Sequence, residues 1–344
     1  MSAEVRVGTD GRAGRIVLDR PRALNSLTHG MIDAVREALE AWAADGSVEH
    51  VVLTGAGERG LCAGADIRAM HDDAKAGGAG FRRFFRDEYR LNALIADYPK
   101  PYVALMDGIT MGGGVGLSAH GSVRIVTERS VVAMPETRIG LVPDVGGSRL
   151  LARAPGELGT HLGLASVSMS AGDALLCGFA DHFVPSAAVP ALLAALADRP
   201  VDEALAEYVA PAPAAPLAEQ RGWIDACYAA DTVEEIVGRL LGSGVPEAKL
   251  AAEELADRSP TMLKVTLAAL RRARAHRTLG ESLAQEYRVS CAALGHHDLV
   301  EGIRAQVVDK DRNPRWSPAT LAGVDERAVA GFFEPPADGD LRFG

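Results

Sequence analysis

The chain has 344 residues, a formal net charge of −10, 48% hydrophobic residues and four cysteines. This composition describes a globular chain with ample length for a buried core, as one large domain or two smaller ones at about 150 residues each, and it excludes disordered and fibrous classes. The acidic balance, without a run of five basic residues, argues against nucleic acid and anionic membrane surfaces as partners, and no apolar run approaches the roughly 18 residues that span a bilayer.

Residues 4–19 read as two short strands around Asp10-Gly11, a dipeptide that tolerates the positive φ of a tight hairpin turn. The opening residues contain no apolar core and no arginine-rich leader, and Cys62, Cys177, Cys227 and Cys291 show no C-x-x-C spacing. On those grounds a cytoplasmic, reducing compartment is expected. Leu27, Met31, Ile32, Val35, Leu39 and Trp42 recur at three- and four-residue intervals, which predicts a helix starting near Thr28. Val51 to Leu53 follows as a buried strand, and Gly77 to Gly80 is expected as a mobile loop before a helix carrying Phe81, Phe84, Phe85 and Leu91. Tyr102 to Met106, Val123 to Val126 and Val131 to Met134 are further strands. After about residue 190 the text turns alanine-rich and helical, with an Ala/Pro linker at 210–216. Thr232-x-x-Glu235 and Thr278-x-x-Glu281 are capping-box patterns, and Ser259-Pro260 is an N-cap followed by proline.

Three segments carry candidate chemistry. Cys62-Ala63-Gly64-Ala65-Asp66 has the small residues that let a backbone approach a ligand, although tight turns accept the same residues. Met111-Gly112-Gly113-Gly114-Val115-Gly116 leaves main-chain N–H groups unshielded at a helix start, where they can hold an oxyanion. A dinucleotide fingerprint read from Gly114 to Ala119 is disfavoured, because such a motif belongs to the first βα turn and this chain opens with a hairpin. Glu136 and Asp144 stand eight positions apart amid prolines and glycines, so the chain can fold back and bring two acids to one cleft; the alternative is that either caps a helix. Glu88, among Arg82, Arg83, Arg86 and Arg90, reads most simply as part of a solvated helix face. The histidines lack metal-ligand pairing, so no metal site is expected. Ser118 and Ser148 lack the nucleophile-elbow pattern of a serine hydrolase.

Taken together with Arg20-Pro21-Arg22-Ala23-Leu24-Asn25-Ser26-Leu27, these segments resemble the crotonase (enoyl-CoA hydratase/isomerase) superfamily, whose members bind acyl-coenzyme A and stabilise an enolate or oxyanion with two main-chain amides. The resemblance runs nearly end to end toward its 3-hydroxyisobutyryl-CoA hydrolase branch, through Phe84 to Tyr89, Lys100 to Leu105, Pro143 to Gly147, Glu286-Tyr287-Arg288 and Val308 to Asp311. It implies an α/β fold, a crotonase-like spiral of repeated β-β-α units over residues 1–205, with a helical C-terminal region over 206–344.

The same resemblance implies the site. Ala63 and Gly113 would supply the oxyanion-hole amides, Glu136 and Asp144 the catalytic pair, and Glu88 with Gly113, Gly64, Ala65 and Asp66 the contacts to substrate. A hydratase of the superfamily uses two glutamates. The first falls at Gly116 here, the second at Glu136, and where hydratases carry a small residue this chain has Asp144. The implied partner is a small acyl-CoA, with CoA as part of the substrate and no cofactor. Arg22 and Lys310 are candidates for its phosphates, and a homo-oligomer is an option the superfamily leaves open.

Overall fold

The structure is a computed structural model and describes residues 4–337 and 339–343. It divides into two compact units that interleave along the chain. The first comprises the segments up to Ala65, from Arg90 to Ala133 and from Met169 to Pro216. The second comprises Asp66 to Tyr89, Met134 to Ser168 and the chain from Leu217 onward. The division is one of space rather than of sequence, unlike the single boundary expected near residue 205.

The first unit holds the strands. β1 (Val5–Asp10) and β2 (Ala13–Leu18) form the expected antiparallel hairpin, with Gly11 at φ +55° in the turn. The helix His29–Ala43 begins where its period predicts, and the Thr28 hydroxyl accepts the Met31 N–H as its cap. β3 (His50–Gly55), β4 (Gly60–Cys62), β5 (Tyr102–Met106), β6 (Ile109–Met111), β7 (Val123–Val126) and β8 (Val131–Ala133) then come in successive pairs, with β9 (His182–Phe183) last. One strand of each pair joins a six-stranded sheet in the order β1-β2-β3-β5-β7-β9, and the other joins a three-stranded sheet β4-β6-β8. Every pairing after the hairpin is parallel. This alternation is the β-β-α spiral of the crotonase fold.

The alanine-rich text does not begin a separate domain. Val189, Leu192 and Leu196 from the helix Val189–Asp198, and Val201 and Leu205 from the helix Val201–Tyr208, bury against Val52, Val103, Leu105 and Ile125 of the sheet. Apolar faces at helical spacing need a partner surface, and the sheet supplies it.

The second unit is helical. Its caps follow the sequence: Thr278 and Glu281 close a reciprocal capping box, Ser259 caps the helix Pro260–Ala273, and Thr232 accepts the Glu235 N–H. The glycine stretch at 77–80 is shorter than a loop. Gly77 and Gly78 take positive φ, and the helix Ala79–Ala96 starts at once, its Gly80 and Phe81 N–H groups donating to Asp73 at 3.1 and 2.7 Å.

Candidate active site

The first unit holds a set of backbone amides. The opening signature is a scaffold for them. Leu24 and Asn25 take left-handed φ of 53° and 54°, and the buried Asn25 amide donates to the carbonyls of Ala56 and Gly60 at 3.0 and 3.1 Å. Held so, the signature pairs with the segment after β4: Ala63 N–H donates to the Leu24 carbonyl at 3.0 Å, and Leu27 N–H donates to that of Gly64 at 2.8 Å. The Ala63 amide is therefore engaged in the scaffold, which takes it out of the expected oxyanion pair. Among the described residues no acceptor takes the N–H of Ala65 or of Gly113. Gly64, at φ +100°, brings the two segments together, since a Cβ there would lie 3.6 Å from the Gly113 nitrogen. Gly114 is constrained more tightly, by space rather than by φ, as a Cβ would collide with the Cys62 carbonyl oxygen. The glycine run thus serves close approach of two backbones. Gly116 is buried in the short helix Gly113–Ser118 and offers no side chain.

The second unit holds a cluster of acids. Glu88 lies on the helix Ala79–Ala96 and is 1% exposed, so the solvated-face reading is overturned. The reason was legible in the spacing: Phe81, Phe84, Phe85, Glu88 and Asn92 fall on one face, while Arg83 and Arg90 point outward. Glu136 opens the 3-10 turn Glu136–Ile139 after β8 and is buried. Asp144 follows in the irregular segment to Gly146 and is also buried, its carboxylate receiving the Tyr89 hydroxyl at 2.6 Å. Tyr89 in turn contacts the Ser290 hydroxyl at 2.9 Å. A fourth carboxyl, Glu286 on the helix Leu279–Ala293, takes the Gly146 and Ser148 N–H groups at 2.6 and 3.0 Å and the Ser148 hydroxyl. Sequence reasoning gave Tyr89, Ser290 and Glu286 no role in the site; a glutamate three positions after buried Leu283 on an apolar helix face was the available signal.

None of these four carboxyls has an ion-pair partner among the described residues, so burial and mutual repulsion govern their titration. Burial raises Glu136 well above the usual carboxyl range, and Asp144, Glu286 and Glu88 push it further. Glu88 is raised by burial and by Asp144. Burial brings Asp144 up to about 6 against the opposing Tyr89 hydrogen bond, and Glu286 up to about 8 against its three donors. Such a group holds protons jointly. One oxygen each of Glu88 and Glu136 is buried without a hydrogen-bond partner, which leaves two acceptors for a ligand or water.

The remaining expected contacts diverge. The Asp66 carboxylate caps the helix Ile67–Lys75 by accepting the Ala69 N–H, a structural role. Arg22 is exposed in the turn Pro21–Ala23, and Lys310 is exposed after the turn Arg304–Val308. Among the described residues no group of three or more His, Cys, Asp or Glu side chains is placed to hold a metal ion, and no helix is long and apolar enough to cross a membrane.

A β-β-α spiral of this kind is a fold class with known members, and the chain belongs to the enoyl-CoA hydratase/isomerase family, whose pattern matches residues 13–333. Its relatives include the mitochondrial 3-hydroxyisobutyryl-CoA hydrolases of Danio rerio, 44% identical over 99% of this chain and 92% of the relative, and of Homo sapiens, 39% identical over 99% and 91%. Similar solved structures are a carnitinyl-CoA dehydratase from Mycobacterium thermoresistibile, with 54% identity, a TM-score of 0.96 and 98% coverage of both chains, and an enoyl-CoA hydratase from Rhodobacter sphaeroides, with 45% identity, a TM-score of 0.93 and 99% and 100% coverage. The mitochondrial relatives overturn the cytoplasmic expectation. Opening residues and unpaired cysteines report no compartment by themselves, because a reducing interior is common to several.

Proposed function

We propose that the chain hydrolyses the thioester of a short 3-hydroxyacyl-CoA, namely 3-hydroxyisobutyryl-CoA, to 3-hydroxyisobutyrate and free CoA, a step of valine breakdown. One observation carries the reading: Glu136 and Asp144 are both present and buried without a counter-charge, while Gly116 stands where hydration would need a second glutamate. The hydrolase relatives, matched along nearly the whole chain, support the same choice.

In this reading the Ala65 and Gly113 amides receive the thioester oxygen and stabilise the charge it gains as the carbonyl carbon becomes tetrahedral. Ionised Glu136 acts at that carbon, directly as a nucleophile or by taking a proton from water whose hydroxide then adds. Collapse expels the CoA thiolate, which is protonated by Glu136 where water was the nucleophile and by Asp144, oriented by Tyr89, where Glu136 itself attacked; in the second case water, losing its proton to Asp144, then cleaves the Glu136–acyl anhydride and returns the free acid and the Glu136 carboxylate. The unpartnered Glu88 oxygen suits the substrate's 3-hydroxyl as donor. No cofactor enters this chemistry, since amides polarise the carbonyl, carboxyls move the protons and CoA arrives with the substrate.

The test is thiol release from (S)-3-hydroxyisobutyryl-CoA and from crotonyl-CoA side by side, with Glu136→Gln and Asp144→Asn. Release from the first substrate alone, lost in both variants, is expected. The dehydratase and hydratase names of the two similar structures favour a second reading on the same fold. Loss of crotonyl absorbance without thiol release would establish it.

A further inference from the structure

The segment that carries Asp144 is strained. Val145 has φ +52° and Gly146 φ +81°, so two consecutive residues sit in the left-handed region, one of them β-branched. A β-branched side chain is disfavoured there and persists only where surrounding bonds impose it. Gly146 has no side chain with which to cap the helix Gly147–Arg153 that follows.

Beside the local bond from the Gly147 N–H to the Asp144 carbonyl, bonds to this turn come from one helix distant in sequence. Glu286, 1% exposed on Leu279–Ala293, receives the N–H of Gly146, the N–H of Ser148 and the Ser148 hydroxyl, three donors on the two sides of the turn. One turn further along, Ser290 meets the Tyr89 hydroxyl, the same hydroxyl that donates to Asp144. Residues four apart share a helix face, so the backbone after Asp144 and the phenol against its carboxylate are both held by one face. An acid placed about 1 Å wrong loses on the order of 10²-fold in rate.

We propose that Glu286 is a positioning residue for the hydrolytic reaction: it braces the turn at 145–148 and thereby fixes the Asp144 carboxyl. The inference rests on the proposed thioesterase reading for its kinetic consequence, and on the turn alone for its structural one. Glu286 also titrates beside other ionisable groups, facing Asp144, Glu136, Tyr89 and the Ser148 hydroxyl. A neutral side chain at 286 therefore changes the site electrostatically as well as mechanically.

Thiol release from 3-hydroxyisobutyryl-CoA is measured against pH for the wild type, Glu286→Gln and Ser148→Ala, with amide hydrogen exchange over residues 143–150 alongside. Glu286→Gln is expected to lower kcat about 10²-fold with KM within about threefold, to move the rising limb of the pH profile to lower pH, and to speed exchange at Gly146 and Ser148. Ser148→Ala keeps both amide bonds, and a smaller fall in kcat, about threefold to tenfold, is expected. A Glu286→Gln kcat within threefold of wild type, or a lowered kcat with the limb unmoved, would overturn the positioning role. Should Glu286→Gln fail to fold, a Ser148→Ala enzyme identical to wild type in rate and exchange would do so. A wild type that releases no thiol sinks the functional reading instead, and the exchange data then decide the brace by themselves.

Discussion

The two units offer opposite kinds of chemistry. The first presents backbone: the Ala65 and Gly113 amides carry no ionisation, so they work equally at any pH, but their placement depends on backbones in close approach at Gly64 and Gly114. The second presents side chains: Glu88, Glu136, Asp144 and Glu286 arrive from three separate segments, all raised by burial, and Glu88, Glu136 and Glu286 by neighbouring acids as well. A backbone site is thus broken by adding atoms, and a side-chain site by changing charge. That difference orders the expected effects.

Removing the central acid is the largest. Glu136→Gln deletes the group that acts at the carbonyl and should lower thiol release by about 10²–10⁴-fold, with substrate binding retained, as measured by single-turnover kinetics and a binding isotherm. An active Glu136→Gln enzyme would move the chemistry to another carboxyl. Next comes a single methyl in the first unit. Gly114→Ala drives its Cβ into the Cys62 carbonyl oxygen, a backbone atom that cannot swing aside, so the two amide-bearing segments must part. The expected loss is about 10²-fold in kcat, with a pH profile of unchanged shape, because no titrating group has been touched. A shifted profile would show that the contrast between the units is false.

Asp144→Asn sharpens the contrast from the other side. Asp144 raises Glu136, so neutralising it lowers the Glu136 pKa. Since Glu136 acts in its ionised form, the rising limb of kcat against pH moves to lower pH, while the maximum falls for want of the second acid. A limb that stays in place would mean that the two acids do not sense each other.

How much of this was legible follows the same division. The hairpin turn at Gly11, the helix from Thr28 and the caps at Ser259 and Thr278 are local events, written in neighbouring residues and recovered where expected. The amide segments were legible as glycine-rich text, but which amide is free was not: the Ala63 N–H is taken by Leu24, nearly forty positions earlier, through a left-handed turn no local pattern announces. Glu88 was hidden by its arginine neighbours even though its place on the aromatic face was countable. Glu286 lies 142 residues from the acid whose turn it holds, and only folding brings them together. That the second unit also takes in residues 66–89 and 134–168 was not legible, because alanine-rich and aromatic helices look alike in sequence whichever unit they join.

The smallest effect concerns stability, and it has the opposite sign to the losses of activity. A carboxyl whose pKa is raised by folding binds its proton more tightly in the folded chain than in the unfolded one. The folded state has this advantage in full below the unfolded pKa and loses it as pH rises through the folded value. For Asp144 that window runs from 3.8 to about 6, and for Glu286 from 4.5 to about 8. At pH 7.5 the wild type therefore carries buried acids at a cost that an amide of the same shape does not incur. Asp144→Asn, which keeps the Tyr89 hydroxyl as donor, should melt a few degrees higher than wild type at pH 7.5, at about 2 °C for each kcal/mol gained, and the gap should narrow as pH falls below about 6 and close only below 3.8, where the acid is protonated in both states. Thermal unfolding across that range checks it. An Asp144→Asn enzyme no more stable than wild type at pH 7.5 would mean that Asp144 is held without strain, and the acids of the second unit would then be as indifferent to pH as the amides of the first.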